Sequence, residues 1–185
     1  NLGLKSEKYI LLSAHREENI DNEDNFLSLM SAINMIAVKY NMPILYSCHP
    51  RSKKNIKKKN FKFHKNVILN EPLGFFDYNK LQKNAFCVIS DSGTLPEESA
   101  FFKFPAVSLR TSTERPEAID KGVFVIGSIK SNHILQAIDM VFEMDRDSEI
   151  LSDVPAYIDE SVSAKVVRII QSYTAIVDKM IWRKL

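Results

Sequence analysis

Short unbroken apolar runs recur along the chain, set apart by polar stretches and by segments whose apolar residues fall at helical spacing. Residues 8–13, 44–47, 67–69, 86–89, 106–109 and 123–126 each read as a strand. Most of these runs are apolar at successive positions, which fits strands covered on both faces. Between the first two runs, Phe26, Leu29, Met30, Ile33, Ile36 and Ala37 mark a helix, which Asp21 or Asn22 can cap. Asp77 can cap a short helix that holds Leu81, a further helix spans residues 134–142, and a last one runs from about 164 to 182. Strands alternating with helices predict an α/β fold, a mainly parallel sheet with helices on both faces.

In such a sheet, ligands bind outside the carboxyl ends of the strands. Four polar loops begin there. His15 follows the first strand, His49 the second, Ser92 the fourth and Arg110 the fifth. The loop after the fourth strand is the most informative: Asp91-Ser92-Gly93-Thr94-Leu95-Pro96-Glu97-Glu98 joins an apolar strand to a helix. The first backbone N–H groups of that helix lack intrahelical partners and favour an anion such as phosphate. Gly93 allows close approach of a ligand, Ser92 and Thr94 add hydroxyls, and Glu98 lies about one turn into the helix, within reach of sugar hydroxyls. An ordinary capped strand-to-helix turn has the same composition. The chain has no Gly-Lys-Ser/Thr ending here, so this is not an NTPase-type phosphate loop.

Glu97 and Glu98 are adjacent and point about 100° apart on a helix, so only one faces a ligand while the other meets solvent or an arginine. His15-Arg16-Glu17-Glu18 suits proton transfer or a pyrophosphate contact, or is a solvated loop. His49, followed by Pro50 and Arg51, is a weaker candidate that can simply start a helix; His64 and His133 receive no role. Arg115 can clamp a phosphate, with Glu114 holding Arg115 or His15, and Pro116 suits the first turn of a helix.

Composition narrows the classes. The chain has 185 residues, 45% hydrophobic and 26% charged, enough for one buried core and against disorder. The net charge of +2 argues no nucleic-acid partner. Residues 51–65 hold eight Lys or Arg and no acid, yet lie between two strands, where a solvated helix face is the ordinary outcome. Cys48 and Cys87 read as buried reduced thiols of a cytoplasmic protein, not as a metal or disulfide pair. No run reaches the ~20 apolar residues of a membrane span, and no signal peptide opens the chain. The first residue is Asn and a strand follows almost at once, so a fragment or a processed product of a longer chain is expected.

Ser13-Ala14-His15-Arg16-Glu17-Glu18-Asn19, Asp91-Ser92-Gly93 with Glu97-Glu98, and Thr113-Glu114-Arg115-Pro116-Glu117 resemble, in order and separation, the non-hydrolysing UDP-N-acetylglucosamine 2-epimerases. The chain resembles the C-terminal half of such an enzyme nearly end to end. The family usually has Gly where Thr94 stands and Gln where Pro96 stands. This variant, with Phe101-Phe102-Lys103-Phe104-Pro105, resembles the capsule and O-antigen branch associated with UDP-N-acetyl-L-fucosamine.

The resemblance implies a Rossmann-like domain, residues 1–185, forming one half of a GT-B arrangement with the active site in the interdomain cleft. The helix at 164–185 would pack toward a missing N-terminal domain. Ser92, Gly93 and Thr94 would hold the diphosphate and Glu98 the ribose. Tyr78 would lie near the uracil, Arg115 would approach the phosphates, His15 would be the active-site histidine, and His49 would lie beside the cleft. The chemistry implied is elimination of UDP and its re-addition with inversion at C2, with no cofactor and no metal. The family's acid/base carboxylates lie mostly in the N-terminal domain, so this half alone is expected to bind UDP weakly and turn over little. Family members often form homodimers. The donor-binding domain of a GT-B glycosyltransferase and a non-catalytic nucleotide-sugar module remain alternatives.

Overall fold

The structure, a computed structural model, describes residues 2–143 and 154–184. They fall into two compact units, Asn1–Val154 and Pro155–Leu185. In the first unit the six strands are β1 (Ile10–Ser13), β2 (Ile44–Ser47), β3 (Val67–Asn70), β4 (Cys87–Ser90), β5 (Ala106–Ser108) and β6 (Val125–Ile126). All pair in parallel, in the order β3-β2-β1-β4-β5-β6. Its helices are α1 (Glu17–Ile20), α2 (Glu23–Tyr40), α3 (Pro50–Lys58), α4 (Phe75–Asn84), α5 (Leu95–Phe102), α6 (Pro116–Asp120) and α7 (Ser131–Glu143). This is a Rossmann-like doubly wound sheet, and its order reverses between β1 and β4.

Strand composition explains the layering. Ile10 and Leu12 of β1, Ile44 and Tyr46 of β2, and Cys87 and Ile89 of β4 share one buried cluster with α2, α7 and Ile56 of α3. The alternate residues Leu11, Leu45 and Val88 are just as buried, on the other face. On that face Tyr9 donates its hydroxyl to the Leu81 carbonyl of α4 at 2.6 Å. Two covered faces account for runs that are apolar at every position.

Several local readings shift. Asn22 caps α2, its Oδ1 accepting the Asn25 N–H at 3.0 Å. Asp77 caps nothing: α4 begins earlier, after Gly74, and Asp77 sits inside its first turn. The stretch read as a polar loop after β1 contains a short helix, α1, and Pro116 opens α6. The basic stretch 51–65 is mostly α3, and three of its charges are answered by nearby acids. Arg51 reaches Glu17 at 2.9 Å and Asp21 at 2.5 Å, Lys53 meets Glu71, and Lys59 meets Glu23. Both cysteines are buried, and neither is in a disulfide. Among the described residues no helix is long and apolar enough to cross a membrane.

The second unit holds a 3₁₀ turn at Pro155–Tyr157 and helix α8 (Val162–Met180). No residue of α8 is buried, and Val167, Ile169 and Tyr173 are among its exposed apolar side chains. Residue 185, at the end of the expected terminal helix, lies outside the described residues.

Candidate functional site

β1 and β4 run side by side with Ser13 opposite Ser90. The loops that leave their carboxyl ends are therefore neighbours, at the point where the sheet reverses its order. Asp91, the first residue after β4, is fully buried. Its Oδ2 accepts the backbone N–H groups of His15 and Arg16 and the side-chain amide of Asn19, each at 2.9 Å. Its Oδ1 lies 3.2 Å from Nδ1 of His15. Asn19, buried on α1, also donates to the Leu109 carbonyl beyond β5 at 3.2 Å. From the other side, the Ala14 carbonyl accepts the buried hydroxyls of Ser52 at 3.1 Å and Tyr46 at 3.3 Å. His15 itself is exposed at the end of this braced loop, its ring centroid 6.4 Å from that of His49.

His49 caps α3: its Nδ1 accepts the Arg51 N–H at 3.3 Å. That is the plainer of its two expected roles, and it still leaves the ring next to His15.

The turn after β4 is more open. Gly93 and Thr94 are exposed, and a Cβ built on Gly93 would meet nothing within 4 Å. The Ser92 and Thr94 hydroxyls lie 3.0 Å apart, and Thr94 donates to Glu98 Oε1 at 2.8 Å. The buried Gln82 side chain holds the other oxygen of Glu98 at 2.6 Å. Tyr78 is half-buried on α4, near Ser13 and Ser90, the last residues of β1 and β4. Burial above all, together with the nearby Glu98 and Asp91 charges, pushes the Tyr78 phenol up to about 12, so it is a neutral hydrogen-bonding group at ordinary pH.

Two arginines beyond β5 are each paired with a carboxylate. Arg115 pairs with Glu97 at 2.5 Å, which gives Glu97 the arginine partner expected for whichever of the two adjacent glutamates faces away from a ligand. The Glu114 backbone carbonyl accepts Arg115 Nη1 at 3.2 Å, while its carboxylate turns elsewhere. The carboxylate takes a two-pronged contact, 2.8 Å on each arm, from the buried Arg110 four residues earlier. Arg110 leaves β5 through Leu109, and its aliphatic stem is covered there. Those hydrogen bonds hold the Glu114 carboxyl below the usual carboxylate range.

The first edge of the fold therefore gathers His15, His49, Ser92, Gly93, Thr94, Glu98 and Tyr78 around β1, β2 and β4, with Arg115 linked through Glu97 of α5. Asp91, Asn19, Arg110 and Gln82 had no assigned part in the sequence reading. Asp91 and Arg110 carry a signal, a polar residue just beyond an apolar strand where burial demands partners; Asn19 and Gln82 lie on α1 and α4, which bury few residues, and no local pattern marks them. Among the described residues no group of three or more His, Cys, Asp or Glu is arranged to hold a metal ion.

The family model described as UDP-N-acetylglucosamine 2-epimerase matches residues 1–171. The chain is 36% identical over 146 residues to the UDP-N-acetylglucosamine 2-epimerase of Methanococcus maripaludis, covering 77% of this chain and 40% of that relative. The structure of UDP-N-acetylglucosamine 2-epimerase from Rickettsia bellii superposes with a TM-score of 0.80 at 34% identity, covering 99% of this chain and 49% of that one. The Methanocaldococcus jannaschii enzyme, solved in complex with UDP-GlcNAc and UDP, gives 0.77 at 30% identity, covering 89% of this chain and 45% of that one. This chain spans about two fifths of the length of the curated relatives it matches first. With a family model matched along nearly its whole length and this sheet beneath it, the chain belongs to the UDP-N-acetylglucosamine 2-epimerase family.

Proposed function

We propose that this chain is the nucleotide-binding, C-terminal half of a UDP-N-acetyl-sugar 2-epimerase of GT-B arrangement. The observation that carries this reading is the pairing of β1 with β4, which sets the His15 loop beside the open Ser92-Gly93-Thr94 turn. Ser92, Gly93 and Thr94, at the N-terminal end of α5, receive the diphosphate. Glu98 accepts the ribose hydroxyls by exchanging its Thr94 contact for them. Tyr78 lies toward the uracil, His49 lines the cleft, and Arg115 swings from Glu97 toward the phosphates.

In the reaction, a base takes the proton from C2 and the C1–O bond breaks. Its electron pair leaves with UDP, and a C1=C2 double bond remains. UDP then adds back to C1 while a proton reaches the opposite face of C2. His15 is the residue of this half that we place at the reacting sugar. The other half of the intact protein supplies the remaining acid/base groups, and the exposed apolar face of α8 packs against it. We take the substrate to be that of the UDP-N-acetyl-L-fucosamine branch of capsule or O-antigen synthesis, a cytoplasmic step, a reading that the Thr94 and Pro96 variation supports.

Calorimetric titration of UDP into this chain tests the reading. Saturable binding that disappears in a Ser92→Ala, Glu98→Ala variant is the expected result. Binding that survives in the variant would place the nucleotide elsewhere. In the full-length protein, His15→Ala is expected to abolish interconversion at C2 while UDP binding persists.

A further inference from the structure

Asp91 does more in this geometry than tie two loops together. Three donors already occupy Oδ2, and the carboxylate is fully buried. Oδ1 is buried as well and, among the described residues, no donor is aligned on it. The group facing it is Nδ1 of His15, at 3.2 Å. A buried acceptor without a donor is costly, and a modest turn of the exposed His15 ring supplies one. We propose that Asp91 is a positioning residue that fixes the neutral imidazole of His15 as its Nδ1–H tautomer, leaving the Nε2 lone pair directed away from Asp91.

The chemistry is one-sided. An ionised carboxylate only accepts hydrogen bonds, so the imidazole nitrogen that faces it must carry a proton. The ring's other nitrogen then exchanges protons with whatever occupies the open side of the site. When Nε2 takes up a proton, the buried carboxylate opposite stabilises the resulting cation without itself being protonated, the arrangement familiar from other histidine–aspartate pairs. The importance of this for turnover rests on the reading of His15 above; the tautomer itself does not.

Asp91→Asn separates the two roles of the carboxylate. The three donors on Oδ2 pin the amide oxygen at that position, so the NH₂ group falls where Oδ1 stood. A donor then faces Nδ1, and the ring must present a lone pair there. The substitution keeps the loop anchored and inverts the tautomer.

The test is long-range ¹H–¹⁵N correlation NMR on this chain without ligand, with His15→Gln identifying the His15 signals among those of the four histidines. Spectra are followed upward in pH until they stop changing, so that the ring is neutral. The expected result is a protonated Nδ1 and an unprotonated Nε2 in the wild type, exchanged in Asp91→Asn. A wild-type ring found mainly as Nε2–H overturns the proposal. So does an Asp91→Asn variant with an otherwise unchanged backbone spectrum and an unchanged tautomer. If that variant does not fold, the wild-type tautomer alone decides. Failure of UDP to bind would sink the functional reading and leave this result standing, so the two fail separately.

Discussion

The two loops that meet at the switch point are built in opposite ways. The loop after β1 is braced by buried groups: the Tyr46 and Ser52 hydroxyls on the Ala14 carbonyl, and Asp91 on the N–H groups of His15 and Arg16. The turn after β4 is held by its own exposed hydroxyls and by Glu98, with open space around Gly93. The first is fixed by the core before any ligand arrives. The second keeps polar groups whose present partners a ligand can replace. On the function proposed above, such a site would fix the backbone beneath its chemical group and leave its binding groups free to change partners.

The strongest way to break this contrast is Asp91→Ala. It leaves two backbone N–H groups and the Asn19 amide buried without their acceptor, and should cost about 3–5 kcal/mol. Urea denaturation measures it, and a loss below about 1 kcal/mol would show that the first loop is not braced as described.

Cys48 probes the same core-built side. It lies at the end of β2, 2% exposed, and burial pushes its thiol up to about 11, outweighing the pull of Lys53. Only the thiolate reacts, so alkylation of the folded chain at about pH 8 should be on the order of 100-fold slower than in urea. Equal rates would mean that the ground under His49 opens readily.

On the open side, Gly93→Ala should leave stability within about 0.5 kcal/mol, because the added Cβ meets nothing within 4 Å in the folded chain. The same substitution should weaken UDP binding by roughly tenfold or more, since the side chain occupies the approach to the turn; tenfold corresponds to about 1.4 kcal/mol. Strong destabilisation with unchanged affinity would reverse the assignment of space there. The smallest effect is expected from Ser92→Ala on stability, less than about 0.5 kcal/mol by thermal melting, because its hydroxyl bonds only near the surface.

Much of this architecture was legible in the chain. Unbroken apolar runs such as Tyr9-Ile10-Leu11-Leu12 announce strands buried on both faces, and the alternation with helices forces a parallel sheet with its loops gathered at one edge. The residues exposed at that edge, His15 and the Ser92-Gly93-Thr94 turn, stand out because small or ionisable groups interrupt apolar patterns. Asp91 was quoted in the same stretch yet its role was hidden. Its three donors come from residues 72–76 positions away, and no local pattern records such a contact. The partner of the Glu114 carboxylate is hard to read for a related reason: i to i+4 pairing with Arg110 depends on how the loop after β5 folds back, whereas adjacency to Arg115 is all that the sequence displays. Asp77 lost its expected cap because Gly74 starts the helix three residues sooner, and a glycine N-cap leaves no side-chain signature.

The pairing of β1 with β4 also sets an order in time. His15 and Asp91 are separated by 76 positions, so the contact that fixes the histidine closes a long loop. Contacts of that separation cost chain entropy before they repay it, and they form late relative to helices and local turns. During synthesis, β1, β2 and β3 and their helices all emerge before β4 exists. Until β4 pairs with β1, the His15 and Arg16 amides have no carboxylate to bind. A nascent chain ending before Asp91 can be rich in secondary structure and still lack the anchor of its most reactive loop, so the completion of that loop reports that the sheet has closed across its centre.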